Sequence, residues 1–371
     1  MNKDVIVLGG LPDSLINFRG DLLSALVEKQ LDVTAMSAPA PESVTVALAD
    51  IGVDFCAFDV KRNGLNPMGD LKIFAQLLKT FRNYKPAKVL AYTIKPVIWG
   101  GIAARQTQTP FYALITGLGF AFQGDSLKRR ILTKIVTTLY GLALSKAEAV
   151  IFQNADNAET FIQKGIVNRD KCHVVNGSGV KLEYFNKSDL PAASPVFLTI
   201  ARLLGEKGLR EYSQAASYVK KKYPDIVFQI VGPEDPSPDG IPIAEVNWWQ
   251  QEGSIDYLGS TSDVRPYIND CHVFVLASYH EGMPRTVLEA MAIGRPILTT
   301  NVPGCKETVI EGENGFLVEK ANVEQLAEKM TWFIENQQEW QRMADRSHEL
   351  AKERYDVHKV NHELLKIMGL N

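Results

Sequence analysis

The run His280-Glu281-Gly282-Met283-Pro284-Arg285-Thr286-Val287-Leu288-Glu289-Ala290-Met291-Ala292 decides the reading of this chain. An apolar run of strand length, Val273 to Ala277, precedes it; Gly294 and then Pro296-Ile297-Leu298-Thr299-Thr300 follow it. The unit reads strand, loop, helix, strand, with Pro284 expected at the first helical position, where its missing N–H costs nothing. Glu281 then falls in the loop and Glu289 about one and a half turns into the helix. The N–H groups of Arg285, Thr286 and Val287 are expected between these two carboxylates. A helix N-terminus attracts anions, phosphate above all, whereas the flanking acids suit the hydroxyls of sugars. The pattern suggests a sugar–diphosphate–sugar ligand lying across a helix start. An ordinary βαβ unit with two solvated glutamates has the same spacing.

Downstream lie Gly294-Arg295-Pro296, Asn301-Val302-Pro303-Gly304-Cys305-Lys306-Glu307 and Gly312-Glu313-Asn314-Gly315-Phe316-Leu317-Val318. Together with the E-x7-E pair, this order of motifs resembles the family-4 retaining glycosyltransferases, which have the GT-B fold. Upstream, Val196 to Ile200 reads as a strand that leads to Arg202, Lys207 and Gly208 and then a helix. A fork donor and a compact ammonium at that spacing can grip one diphosphate from two sides, although two solvated loop cations would look alike. The resemblance gives Arg202 and Lys207 the diphosphate role through the family's R-x4-K-G pattern. It gives Glu281 the donor-sugar hydroxyls, Glu289 the ribose, and the backbone around Gly282, Met283, Pro284, Thr286 and Val287 the donor phosphates. Tyr257-Leu258-Gly259 with Asp263 match the segment bordering the nucleotide base, so Leu258 joins the donor set. Pro236, Pro238 and Gly240 mark a long loop after the strand ending at Val231.

In the N-terminal half, Val5 to Leu8 runs into Gly9-Gly10, and a helix is expected from Phe18 to Lys29. Glycines here let backbone approach a ligand, or simply make a tight turn. The dinucleotide fingerprint G-x-G-x-x-G is missing, which disfavours a nicotinamide or flavin enzyme. A helical pattern from Asn66 to Lys85, a strand at Lys88 to Tyr92, and a further helix and strand lead to Thr116-Gly117-Leu118-Gly119. Strands alternating with helices imply a parallel sheet whose ligand crevice lies beyond the strand C-termini. Lys95, Thr116, Gly117 and Gly119 are accordingly expected to face an acceptor, with a solvated strand-end lysine as the alternative for Lys95. Asn66-Pro67, the Thr93–Pro96 turn and Gly117-Leu118-Gly119 look like the bacterial branch of PglA-type N-acetylhexosaminyltransferases, which act on undecaprenyl-diphosphate-linked sugars. Two positions depart from the family: Thr116 stands where many members carry a histidine, and Lys181 where an aspartate is usual.

The composition, 46% hydrophobic and 22% charged, is that of a soluble globular protein. Up to Leu190 there are 22 Lys and Arg against 17 Asp and Glu, +5; the remainder has 18 against 26, −8. That excess suits an anionic surface and is too small to imply nucleic acid. The four cysteines and six histidines form no metal-ligand spacing, and the D-x-D motif of metal-dependent glycosyltransferases is absent. Neither a signal-peptide core nor a spanning apolar run is seen. The segment Ser126–Lys146 combines Lys128, Arg129, Arg130 and Lys134 with Ile131, Leu132 and Ile135, which fits a helix lying in a lipid interface or an ordinary surface helix.

The resulting expectation is α/β: a GT-B protein with two Rossmann-like domains facing across a cleft. Residues 1–190 would form the acceptor-binding domain and 191–354 the nucleotide-sugar domain, with 355–371 a helix returning to the first. The implied activity is retaining transfer, from a UDP-sugar and without a metal, of an N-acetylhexosamine (GalNAc or GlcNAc) to a polyprenyl-diphosphate-linked saccharide. The enzyme would be cytoplasmic, held peripherally at the inner face of the membrane. A UDP-sugar epimerase of the same fold and a non-catalytic nucleotide-sugar-binding protein are the competing readings.

Overall fold

The computed structural model describes residues 3–60, 67–118 and 127–371, with backbone alone for 67–68 and 127–129. Gly119, Ser126 and Asn66, singled out above, lie outside the described residues. The chain divides into two compact units, Met1–Ser178 with His358–Asn371, and Gly179–Val357.

The first unit contains strands β1 (Val5–Leu8), β2 (Val33–Ser37), β3 (Asp54–Ala57), β4 (Lys88–Tyr92), β5 (Phe111–Ile115), β6 (Ala149–Phe152) and β7 (Cys172–Val174). Its helices are α1 (Pro12–Asn17), α2 (Gly20–Glu28), α3 (Glu42–Asp50), α4 (Pro67–Tyr84), α5 (Ile94–Thr107), α6 (Leu127–Leu144) and α7 (Ala155–Gln163). The strands pair in parallel in the order β3-β2-β1-β4-β5-β6-β7. Parallel strands are covered on both faces, so they read as unbroken apolar runs. β1 shows the consequence of the two-residue pleat. Val5 and Val7 pack with Leu22 and Leu26 of α2, while Ile6 and Leu8 pack with Leu77 and Phe81 of α4 and Ala103 of α5.

The second unit contains β8 (Val196–Ile200), β9 (Val227–Val231), β10 (Asp256–Tyr257), β11 (Val273–Leu276), β12 (Ile297–Thr300) and β13 (Gly315–Val318). Its helices are α8 (Leu209–Lys220), α9 (Ile243–Gln251), α10 (Arg265–Asn269), α11 (Arg285–Ile293), α12 (Val323–Glu335) and α13 (Trp340–Leu350). This sheet is also parallel, in the order β10-β9-β8-β11-β12-β13. A final helix, α14 (Val357–Ile367), puts Val360, Leu364, Leu365 and Met368 into the first unit's core beside Val5 and Leu22.

The helix expected over Phe18–Lys29 is α2, and a short helix that was not expected, α1, precedes it, the two separated at Phe18 and Arg19. Arg19 leaves helical geometry (φ −127°, ψ −2°) and sinks to 2% exposure with its guanidinium 5.1 Å from the Tyr92 ring centroid. Two local expectations are corrected. Pro284 caps α11 instead of occupying its first turn (φ −74°, ψ 106°). Leu132, expected to point outward with Ile131 and Ile135, packs against the first unit's core, while those two are 55% and 46% exposed.

Candidate active site

In a doubly wound parallel sheet the crevice opens where strand order reverses, beyond the strand C-termini. In the second unit that point lies between β8 and β11. After β8 the chain carries Arg202, a 3-10 turn Gly205–Lys207, and α8. After β11 come Ser278, Tyr279, His280 and Glu281, and then α11. Gly208 makes the close approach possible. It has φ +67°, and a Cβ there would sit 2.0 Å from the Ala277 carbonyl oxygen, so only glycine lets α8 start against the end of β11.

Lys207 and Glu281 meet in this crevice. Nζ donates to Glu281 Oε1 at 2.5 Å, with side chains only 15% and 14% exposed. Ser278 Oγ donates to the same oxygen at 2.7 Å, and the Glu281 N–H donates to the Pro303 carbonyl at 3.2 Å. Gly304 (φ +88°) lies against Glu281, where a Cβ would be 2.6 Å from its carbonyl oxygen. The Tyr279 N–H donates to the Glu206 carbonyl at 2.8 Å, and its hydroxyl donates to Glu211 at 2.6 Å. Three loops, after β8, β11 and β12, are thereby locked together around one carboxylate and one ammonium. Beside them, burial pushes the His280 imidazole pKa down against the charges of Glu281 and Glu206, which keeps it neutral at neutral pH.

Arg202, the second expected cation, is ion-paired with Asp235. Lys207, 15% exposed, is not the solvated loop charge that the sequence also allowed, whereas Arg202 is paired but 38% exposed. Glu289 sits about one turn along α11, 6% exposed, and accepts from Arg285 Nε at 2.8 Å. Burial raises its pKa and the Arg285 charge opposes the rise. Of the three amides expected at the α11 start, that of Val287 already donates to the Pro284 carbonyl at 3.1 Å. Gly282 and Pro284 are buried in the connecting loop, and Met283 packs partly on the second unit's core. Thr286 is half-buried on the first turn of α11. Leu258 follows β10, is 38% exposed, and its neighbour Tyr257 donates its hydroxyl to the Gly232 carbonyl at 2.9 Å.

The first unit has its own strand-end cluster, on the adjacent strands β1, β4 and β5. Gly9 follows β1, and a Cβ there would lie 2.3 Å from the Tyr92 hydroxyl; a Cβ on Gly10 would lie 3.0 Å from Thr93 Oγ1. Thr93 caps α5 at φ 67°, ψ 159°, a region other residues than glycine enter at a cost of about 1–3 kcal/mol. Lys95 stands in the first turn of α5, where it is held by Asp70 of α4 at 3.0 Å with 16% exposure. Thr116 and Gly117 follow β5, half-buried. Arg19 joins this edge by donating to Ser178 Oγ at 3.2 Å. Sequence reasoning missed Arg19 and Asp235, whose partners are distant in the sequence, and Ser278, which reaches the nearby Glu281 inside a loop where no periodicity announces the contact. Among the described residues no three His, Cys, Asp or Glu side chains converge as metal ligands, and no helix is long and apolar enough to cross a membrane.

Two Rossmann-like units with these strand-end sites define the class as GT-B. An Anabaena protein, HepE, crystallised in complex with UDP, superposes over 99% of both chains with a TM-score of 0.79 at 19% identity. Family models agree by sequence: "Glycosyl transferase 4-like" matches residues 15–154 and "Glycosyl transferases group 1" matches 180–350. The chain is 30% identical over 338 residues, 87% of each protein, to the Campylobacter jejuni N,N'-diacetylbacillosaminyl-diphospho-undecaprenol alpha-1,3-N-acetylgalactosaminyltransferase. An Escherichia coli UDP-Gal:alpha-D-GlcNAc-diphosphoundecaprenol alpha-1,3-galactosyltransferase is 30% identical over 69% of this chain and 68% of its own. The chain belongs to this glycosyltransferase family and is a hexosyltransferase of bacterial glycan assembly type.

Proposed function

We propose that the chain transfers an N-acetylhexosamine, GalNAc or GlcNAc, from a UDP-sugar to a polyprenyl-diphosphate-linked saccharide, with retention of anomeric configuration. The observation that carries this reading is the Lys207–Glu281 pair at the strand-order reversal, with Arg202 on the same turn. The acceptor class is supported by the names of the Campylobacter and Escherichia relatives, and the donor by the latter name and by the UDP-bound neighbour.

Breaking the anomeric C–O bond leaves negative charge on the departing diphosphate. Fixed cationic donors aimed at that charge lower the barrier, and in a water-poor site they need no reorganisation as it develops. Arg202 and Lys207 supply them, with backbone N–H groups near Thr286 at the α11 start. Glu281 holds donor-sugar hydroxyls, Glu289 the ribose, and Leu258 borders the base, with Gly282, Met283, Pro284 and Val287 shaping the phosphate loop. On the first domain Gly9 and Gly10 allow close backbone approach, and Lys95, Thr116, Gly117 and Gly119 meet the acceptor. The first domain takes the acceptor and the second the nucleotide. Retention implies attack from the face the diphosphate leaves, with the departing phosphate accepting the acceptor's proton.

The acceptor's lipid stays in the bilayer, so the enzyme works at the inner membrane face. Ile131, Ile135 and Leu142 are 55%, 46% and 45% exposed on α6, beside exposed Arg130 and Lys134. The segment Ser126–Lys146, which contains α6, is the attachment surface.

A screen of UDP release, run in EDTA with several UDP-sugars and lipid-linked acceptors, tests the reading. Acceptor-dependent release is expected without added metal. New UDP-sugar isomers without acceptor would mean an epimerase, and UDP binding without any release would mean a sensor or scaffold.

A further inference from the structure

The loop joining β9 to α9, residues 232–240, has the sequence Gly-Pro-Glu-Asp-Pro-Ser-Pro-Asp-Gly and folds onto the turn that carries Arg202 and Lys207. Leu203 N–H donates to the Pro233 carbonyl and Gly205 N–H to the Asp239 carbonyl, both at 2.9 Å. Isolated bridges pair Leu203 with Glu234 and Leu204 with Gly240, so the turn is gripped along two edges. Two aspartates then reach into it. Asp239 Oδ2 accepts the Glu206 N–H at 2.8 Å, satisfying an amide of the 3-10 turn that ends at Lys207. Asp235, 7% exposed, is ion-paired with Arg202, and its Oδ1 accepts the Ser237 N–H at 2.9 Å. The packing leaves no slack. A Cβ on Gly240 would lie 2.1 Å from the Asp235 carbonyl oxygen, and one on Gly205 would lie 2.8 Å from Asp239 Oδ1.

We propose that Asp235 and Asp239 are positioning residues of the donor site: Asp235 aims the Arg202 guanidinium, and Asp239 sets the turn carrying Lys207, so that both cations meet one nucleoside diphosphate. This rests on the donor-binding role given to Arg202 and Lys207 above. Two effects of Asp235 oppose each other. Its charge lowers the positive potential, while its contact removes the rotamer freedom that a long arginine would otherwise lose on binding. Burial decides between them. The Asp235 side chain is 7% exposed and the Arg202 side chain 38%, so of the pair it is the arginine that an incoming ligand meets. A guanidinium has five N–H donors, and the pair occupies Nη1. The remaining edge is available for the bidentate geometry that phosphate favours.

The test is a double-mutant cycle read by calorimetric titration of UDP into the full chain. Asp235→Asn is expected to weaken UDP about fivefold or more and Arg202→Ala about tenfold or more. The double variant should bind within about twofold of Arg202→Ala, because the aspartate acts only through the arginine. The same cycle with Asp239→Asn and Lys207→Ala is the second arm, independent of whether Asp235→Asn folds. Additive losses in the cycles overturn the proposal, as does unchanged or tighter UDP binding by an Asp235→Asn variant that melts with the parent. A parent that binds no UDP overturns the donor-site reading and this inference with it; a binding parent with additive cycles overturns the positioning role alone.

Discussion

Lys207 Nζ and Ser278 Oγ converge on one oxygen, Oε1 of Glu281, at 2.5 Å and 2.7 Å. The ammonium assigned to the diphosphate and the carboxylate assigned to the sugar are therefore parts of one unit, built from the loops after β8 and β11. Lys207→Ala is expected to lower turnover at least about tenfold by removing a donor from the developing charge. The fold should survive. Breaking a fully buried pair costs about 3–5 kcal/mol, and here Ser278 still donates to Glu281. Turnover and urea denaturation of the variant check this together. Near-normal turnover in a folded variant would remove Lys207 from the mechanism.

Arg295 makes a structural prediction. Its side chain is fully buried, and its guanidinium donates to the carbonyls of Ile268, Ser188, Gly294, Asp189 and Asn269 and to Ser188 Oγ. Arg295→Met keeps much of the volume but strands these acceptors. A loss of at least about 3 kcal/mol is expected by chemical denaturation. A loss below about 1 kcal/mol would show that water or relaxation replaces the network.

His272 gives the stability a pH dependence. Nδ1 accepts the Val196 N–H at 3.1 Å and Nε2 faces the Pro191 carbonyl at 3.0 Å. The ring is therefore neutral with its proton on Nε2. Burial lowers its pKa from 6.5, and the neighbouring Arg295 charge also lowers it against the Pro191 bond. A depressed histidine pKa means the unfolded chain binds the proton first. Stability is present in full above about 6.5 and declines as pH falls below it, until the folded pKa is passed. His280, lowered in the same direction, adds to the slope. Urea midpoints from about pH 7.5 to 5.5 should fall, and His272→Gln should flatten part of that fall. An equal slope in parent and variant would assign the effect elsewhere.

The parts legible in the sequence are those with a local cause. Val196 to Ile200 is β8 residue for residue, and Lys88 to Tyr92 is β4, because buried parallel strands are short apolar runs bounded by turn residues. Spacing and resemblance singled out Arg202, Lys207, Glu281 and Glu289 as candidates. What each side chain touches was not legible. The Lys95–Asp70 pair joins α5 to α4, the Arg202–Asp235 pair joins loops after β8 and β9, and the break at Arg19 follows from burial over Tyr92. These partners lie 25, 33 and 73 positions apart (95 − 70, 235 − 202, 92 − 19), beyond any periodicity argument. Leu132 failed for a different reason. A helix with apolar residues on more than one face does not say which of them a neighbouring helix covers.

Membrane attachment through α6 is tested by Arg130→Glu with Lys134→Glu. Each cation near an anionic surface contributes about 1 kcal/mol, so the double reversal should weaken binding to anionic vesicles about tenfold or more at low salt. Reaction with a water-soluble acceptor analogue should change little. Unaltered vesicle binding would make α6 ordinary domain surface.

Acceptor-dependent transfer with retention is read out by time-resolved proton NMR of the anomeric region. The parent enzyme is given UDP-N-acetylhexosamine and an undecaprenyl-diphosphate-linked saccharide in detergent. An α-anomeric product signal is expected to grow in step with free UDP, and neither should change when the acceptor is left out. A β-anomeric product, or a new UDP-sugar isomer in the absence of acceptor, would contradict acceptor-dependent, retaining transfer.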